Sequence, residues 1–391
     1  MTDQRTHIVV IGGGYAGTLA ANHLRLRADV EISVVNPRPV FVERIRLHQL
    51  AAGSGTAVVD YGTLLGAGIR LVVDSAERIN SADRQIELGS GAVLHYDYLI
   101  YAVGSTGLVP STVSGALEFA YPVAELEYAE RLRDRLDELH PDAPVVVIGA
   151  GLTGIETASE LAGQRRRVTL VCGGVLGPPL SRPGRRSVAK WLGRLGVDVL
   201  ETAVVREVRS DAVVLADGAI LPSALTVWTA GFGVPELAAR SGLSTDPLGR
   251  LLTDETLTSV DDPRIVAAGD AAAPSGQPLR MSCQAAGPLG AQAANTVLSR
   301  IAGTKPAALN QAFVGQCISL GRSHATLQLA RTDDTPVNAV LGGRITASIK
   351  EAICKATVWS IRREAAKPGS YFWLKGGNRS ERLAPDAVTV P

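Results

Sequence analysis

Cysteine pairs are missing from this chain. Its four cysteines, Cys172, Cys283, Cys317 and Cys354, are widely spaced and form no C-x-x-C or C-x4-C pair. That argues for a reducing compartment, and against both a thiol-disulfide active site and a cysteine-built metal site. Excess charge is missing too: 39 Lys and Arg nearly balance 38 Asp and Glu, so nothing global points to nucleic acid. No apolar run is long enough for a spanning helix. Ala219 to Pro235 comes closest, and Pro222, Gly231, Gly233 and Pro235 cut it into a strand and a loop. Met1 to Thr6 is polar and runs straight into an apolar strand, which predicts no signal peptide and a cytoplasmic chain.

What is present is apolar and glycine-rich. With 46% hydrophobic and 20% charged residues over 391 positions, the chain can fill two or three domains with sizeable cores. His7 to Ile11 is a β-branched run, followed by Gly12-Gly13-Gly14-Tyr15-Ala16-Gly17 and then Thr18 to Arg27 at helical spacing. This is the dinucleotide fingerprint in its strand-turn-helix context. Gly12 permits the tight turn, Gly14 lets backbone approach a pyrophosphate, and Gly17 lets helix pack on strand. The helix start offers free N–H groups and a partial positive charge to phosphates. A second strand, Val30 to Val35, ends at Asn36, where the motif normally places an acid on the adenosine ribose; Asn36 bonds a hydroxyl more weakly. Pro37, Arg38 and Arg44 follow, with Arg44 and Arg46 either reaching phosphate or flavin carbonyls or forming a solvated charged helix. Ile69 to Leu94, which includes Ala76, alternates like small antiparallel strands, and Asp97 to Ser105 is a short buried strand stopping at Gly104.

The fingerprint then recurs. Val145 to Ile148 leads into Gly149-Ala150-Gly151-Leu152-Thr153-Gly154 and a helix from Ile155, so the chain is expected to bind two dinucleotides. Its second strand ends in Cys172, again without the acid that selects a free ribose 2′-hydroxyl. Arg182, Arg185 and Arg186 follow, either to meet a 2′-phosphate or to begin a basic surface helix, so NADH and NADPH both stay open. Arg264 to Asp270 is a buried strand with one acid at its end, and Met281 to Gly287 opens an alanine-rich helix running to Arg300.

In this order the motifs resemble the two-dinucleotide flavoprotein superfamily, and most of all the type II NADH dehydrogenase group of NADH:quinone oxidoreductases. The resemblance is carried by Gly12-Gly14-Gly17, by Tyr98 to Ser105 in place of the A-T-G strand, and by Gly149-Gly151-Gly154 with Glu156. Thr229-Ala230-Gly231, Gly269-Asp270 and the Gln284-Ala285 helix start complete it, over about Ile8 to Gly303. It implies an α/β fold with two Rossmann-like domains, an FAD domain (1–115 and 241–305) with an inserted NAD(P)H domain (116–240), plus a C-terminal α+β region (306–391). Implied FAD residues are Gly12, Gly14, Tyr15, Ala16, Gly17, Asn36, Pro37, Arg38, Arg44, Ala76, Ala102, Val103, Gly104, Gly269, Asp270, Gln284 and Ala285. Implied NADH or NADPH residues are Gly149, Gly151, Leu152, Thr153, Gly154, Cys172, Ala230 and Gly231. Glu156 and Gln284 would lie by the flavin, with Glu156 linked to electron and proton delivery; the dipole of the helix start favours a carboxylate there for structural reasons as well. Departures are Val103 for threonine and Asn36 and Cys172 for acids. Cys283, without a partner cysteine, reads as a small buried apolar residue.

Past Gly303 the sequence changes character. Ile345 to Ile361 reads as a helix with Ile345, Ile349, Ala352, Ile353, Ala356 and Trp359 on one face, and Lys350, Glu351, Lys355 and Arg362 on the other. The aromatic cluster Tyr371-Phe372-Trp373 follows, beside Lys375, and from Ile345 onward eight Lys/Arg against four Asp/Glu give 8 − 4 = +4. Such a helix suits an interfacial anchor at the inner face of the cell membrane, or packing within its own domain or against a second subunit in a homodimer. Expected chemistry is hydride transfer from NAD(P)H to FAD and two-electron reduction of a quinone. Another small-molecule acceptor, such as an aromatic metabolite, and a non-catalytic nicotinamide sensor are the alternatives.

Overall fold

A computed structural model describes residues 5–377 and 379–383; residues 1–4, 378 and 384–391, including the last part of the expected C-terminal region, lie outside the described residues. The β-branched strand Thr6–Ile11 is central in a five-stranded parallel sheet, ordered Ile265–Ala267, Tyr98–Tyr101, Thr6–Ile11, Val30–Asn36, Ile69–Val73. Ile8, Val9 and Val10 are fully buried, as a strand covered on both faces requires. A second five-stranded parallel sheet runs Ala120–Pro122, Leu225–Trp228, Val145–Ile148, Val168–Val171, Asp198–Leu200. Each sheet has its own three-stranded antiparallel companion, Ala76 to His95 beside the first in sequence and Val205 to Pro222 within the second.

The first-fingerprint helix, Tyr15–Leu24, packs against the alanine-rich helix Cys283–Ile301. Small residues let them touch backbone to backbone: a Cβ on Gly290 would lie 2.3 Å from the Ala16 carbonyl oxygen. The chain then forms a three-stranded antiparallel sheet, Gly315–Ser319, Ala325–Ala330, Pro336–Gly343, and a 23-residue helix, Arg344–Ala366.

Of the two arrangements expected for that helix, its apolar face is turned outward and another face packs on the protein. Cys354, Val358 and Ile361 are buried, and Lys350 and Glu351 turn inward to partners on other segments. Ile345 is 80% exposed and Trp359 58%, and Ile349 and Ile353 are exposed as well. The buried carboxylate of Glu364 anchors the helix end. It accepts from the backbone N–H groups of Gly369 and Tyr371, from the Ser370 hydroxyl at 3.2 Å, and lies 2.7 Å from His23 Nδ1 on the first-fingerprint helix.

Candidate active site

The first turn is fixed by sterics. Gly12 has φ +101°, and a Cβ there would lie 2.2 Å from the Ala102 carbonyl oxygen; one on Gly17 would lie 1.8 Å from the Gly12 oxygen. Gly14 differs, with nothing within 4 Å of its Cβ position, because it borders a cavity. No side chain caps the helix that starts there, so its first N–H groups remain free for an anion. Gly13 is held from two sides: its N–H donates to Asn36 Oδ1 at 3.0 Å, and its carbonyl accepts from the Tyr61 hydroxyl at 2.6 Å.

The second turn repeats the plan. Gly149 has φ +103°, a Cβ on Gly154 would lie 1.7 Å from the Gly149 oxygen, and Gly151 again faces open space at an uncapped helix start. Leu152 and Thr153 border the same cavity as Gly14.

The cavity measures about 640 Å³ and draws its walls from both fingerprint helices, the alanine-rich helix, the C-terminal sheet and the C-terminal helix. On one wall the Arg44 guanidinium donates to the Ser105 carbonyl and, at 3.1 Å, to its hydroxyl; that hydroxyl donates to Asp270 Oδ2 at 2.6 Å. Burial lowers the Arg44 pKa, and Asp270 works against that.

On another wall Lys350 Nζ lies 3.0 Å from Glu156 Oε1, which also accepts from Ser319 N–H at 2.9 Å. Lys350 donates in addition to the Cys317 carbonyl at 2.8 Å. Burial pushes the Glu156 carboxyl up, but Lys350, His48 and the Ser319 amide outweigh it and leave it below the ordinary value. Burial likewise opposes the charge of Lys350, and Glu156 overrides this to hold the ammonium above the usual lysine value. The pair is therefore ionised, a carboxylate and a cation facing one space. His48 Nδ1 lies 4.0 Å from Glu156 Oε2, and burial lowers the imidazole to about 4, so it is neutral at pH 7.

Of the expected residues, Gly14, Tyr15, Ala16, Arg44, Ala102, Gly104, Leu152, Thr153, Glu156, Gly269, Asp270 and Gln284 border the cavity. Gly12, Gly17, Gly149 and Gly154 act behind it through close backbone contact, and Ala285 is buried in the core at the base of the alanine-rich helix. Gly231 borders a separate crevice of about 10 Å³ with Thr153 and Thr229. Asn36 spends its amide on Gly13 and on the Arg38 carbonyl, and Arg38 pairs with Glu127 at 2.6 Å. Pro37, Ala76, Val103, Gly151, Cys172 and Ala230 are not on the cavity wall. Arg46 is neither a free cation nor solvated: it is 9% exposed and pairs with Glu351 at 3.0 Å.

Cys283 and Cys317 border the cavity, contrary to a purely interior role for Cys283, while burial pushes both thiols up, Cys317 to about 11. They are neutral at pH 7 and poor nucleophiles. Sequence reasoning passes over His48, Ser105, Lys350 and Tyr371 as site residues. A lysine next to Ile349 on an amphipathic helix is the one available signal, and it reads equally as surface.

Two uncapped fingerprint turns opening on one cavity define a dinucleotide-binding oxidoreductase fold. The chain belongs to the pyridine nucleotide-disulphide oxidoreductase family, which matches residues 6–290. An NADH dehydrogenase-like protein of Mycobacterium tuberculosis is 32% identical over 324 residues, covering 75% of this chain and 80% of that protein. The type II NADH:quinone oxidoreductase of the same species is 27% identical over 350 residues, covering 78% and 74%. In fold, the sulfide:quinone oxidoreductase of Aquifex aeolicus is similar with a TM-score of 0.79 at 21% identity, over 93% of each chain.

Proposed function

We propose that the protein is an FAD-dependent NAD(P)H:quinone oxidoreductase. The observation that carries this reading is the convergence of two uncapped fingerprint helices and the ionised Glu156–Lys350 pair on one cavity. The names of its relatives, one an NADH dehydrogenase-like protein and one an NADH:quinone oxidoreductase, support the same reading.

The residues fit a flavin dinucleotide. The free N–H groups after Gly14 suit its pyrophosphate, and Asp270, held by Ser105, offers an acceptor to its ribityl hydroxyls. The N–H groups after Gly151 suit the pyrophosphate of NADH or NADPH. When bound, FAD supplies the two-electron relay between nicotinamide and acceptor. The protein's part is to align the two, exclude water and hold charge, and Lys350 sits where it can stabilise negative charge developing on an acceptor oxygen.

A quinone would enter from a membrane surface. Ile353, Ala356, Phe372 and Leu374 border the cavity, and Ile353, Phe372 and Leu374 continue the exposed stripe of Ile345, Ile349 and Trp359. An exposed apolar stripe that reaches the cavity, with Arg363 over the Trp359 ring and Lys375 over the Trp373 ring, suits a helix lying in the lipid interface, with a lipid-soluble substrate passing beneath it. Among the described residues no helix is long and apolar enough to cross a membrane.

The test is to look for a flavin spectrum in the purified protein, mix it anaerobically with NADH or NADPH, then add a short-chain quinone. Bleaching by one nucleotide and recovery with quinone are expected. No bleaching with either would end the enzyme reading, and bleaching without recovery would point to another acceptor.

A further inference from the structure

Two buried carboxylates stand one turn apart on the helix Leu152–Gly163, and only the first, Glu156, borders the cavity. Glu160 is 2% exposed, and neither dinucleotide binding nor helix packing calls for an acid there. Residues at i and i+4 share a helix face with Cβ atoms about 6 Å apart, a separation that one or two waters can bridge. Glu160 Oε1 accepts from the Ser54 hydroxyl, while Oε2 has no protein partner. Two further buried polar atoms without protein partners belong to the same pair of packed helices: Ser159 Oγ, and His48 Nε2 on Leu47–Ala51. Orphaned polar atoms are costly in a dry interior and are met where water or protons pass. On the far side Ser54 is half-buried and lies near exposed Gly53 and Thr56, which gives the series an opening to solvent.

The two carboxyls are also set apart electrostatically. Lys350 and His48 hold Glu156 below the ordinary value, whereas burial pushes Glu160 above it, against the opposing pull of Ser54 and the exposed Arg322 and with the help of the Glu156 charge. Neighbouring carboxyls pushed in opposite directions form a donor and an acceptor of the same proton.

Acceptor reduction needs such a supply. NAD(P)H and a quinone give NAD(P)+ and a quinol only if one further proton is added: the hydride carries both electrons and one hydrogen nucleus, and the second hydrogen comes from solvent. We propose that Ser54 and Glu160 are the solvent-side inlet of a proton path that reaches the cavity through Glu156. A proton arriving past Ser54 forms an O–H bond at Glu160; that bond breaks as Glu156 takes the proton, and the acceptor oxygen receives it in turn. Glu160 touches neither substrate nor cofactor and acts through Glu156. The proposal rests on the quinone reading above.

Glu160→Gln keeps the size of the side chain and a bond to Ser54 but cannot take up and release a proton near neutral pH. Turnover of the flavin-loaded enzyme is measured with a short-chain quinone and with ferricyanide, which takes single electrons without protons. Quinone turnover is expected to fall about tenfold while ferricyanide turnover changes less than about twofold, with a larger solvent deuterium effect on the quinone reaction. Ser54→Ala, near the surface, is expected to give the same split at about threefold. Equal losses with both acceptors would reduce Glu160 to a structural role, and an unchanged quinone rate would remove the path altogether. A wild-type enzyme that reduces ferricyanide but no quinone would overturn the underlying reading before any variant is made.

Discussion

The two glycine turns follow one plan in opposite surroundings. Their φ angles, +101° at Gly12 and +103° at Gly149, and their Cβ clearances, 1.8 Å at Gly17 and 1.7 Å at Gly154, are nearly interchangeable. Both helices are buried, but the first turn is gripped more closely: the alanine-rich and C-terminal helices lie against its helix, and Tyr61 and Asn36 hold Gly13. Beyond the second turn, Cys172 is followed by exposed Gly173, Gly174 and Val175. An enclosed turn suits a cofactor that stays, and an open one suits a cofactor that comes and goes, as the proposed roles of FAD and NAD(P)H require. Surroundings, more than motif, separate the two.

The largest effect should be shared by both turns. Gly17→Ala and Gly154→Ala each drive a methyl into a backbone carbonyl, costing about 4 kcal/mol or preventing folding; denaturant unfolding reads this, and a tolerated change at either site would break the likeness. Next comes Lys350→Met, which leaves the Glu156 charge buried without its cation and should cost about 3–5 kcal/mol in the same assay. His48 sharpens the picture through pH. Its pKa falls from 6.5 to about 4 on folding, so the unfolded chain binds its proton first and stability declines as pH drops from 6.5 toward 4. Replacing it with Gln should flatten that slope, by up to about 3 kcal/mol across the window, in urea titrations at stepped pH.

The turns should then part company at Gly14 and Gly151, where a methyl meets only open space. Gly14→Ala is expected to lower flavin content on purification, and Gly151→Ala to keep flavin and raise KM for the nicotinamide about tenfold, with stability changed by less than about 0.5 kcal/mol in both. The reverse pattern would exchange the proposed roles. Smallest for the fold itself is Trp359→Ser on the exposed stripe, within about 0.5 kcal/mol; co-sedimentation with anionic vesicles should fall, and unchanged binding would count against the interfacial reading.

Local rules make both turns and their strands legible from the amino-acid sequence, because Gly17 answers to the Gly12 carbonyl within its own strand-turn-helix unit and Gly12 to its positive φ, even though its closest neighbour, Ala102, comes from another strand. Glu156 is legible as a carboxylate on the second fingerprint helix, but it stands past the first turn, where the dipole would have favoured it, and its place is set by Lys350 instead. That partner is not legible: Lys350 lies on a distant helix, and only tertiary packing turns it inward. The pattern of that same helix leaves two arrangements open, since amphipathicity fixes which residues share a face but not which face meets the protein. The strand Pro336–Gly343 escapes notice because Pro336, Gly342 and Gly343 read as turn residues, and an edge strand tolerates them. Asn36 reads as a ribose ligand, although its short side chain is used to hold Gly13.

Glu364 carries a consequence for the order of assembly. By tying the Gly369–Tyr371 turn to His23, it brings Tyr371 over Gly287, onto the wall that Tyr15 shares. A late-synthesised stretch thus closes a site begun by an early one. Contacts between such distant positions form late, so a closed cavity awaits release of that stretch from the ribosome, and removing the segment from Glu364 onward would unroof that cavity rather than trim a tail.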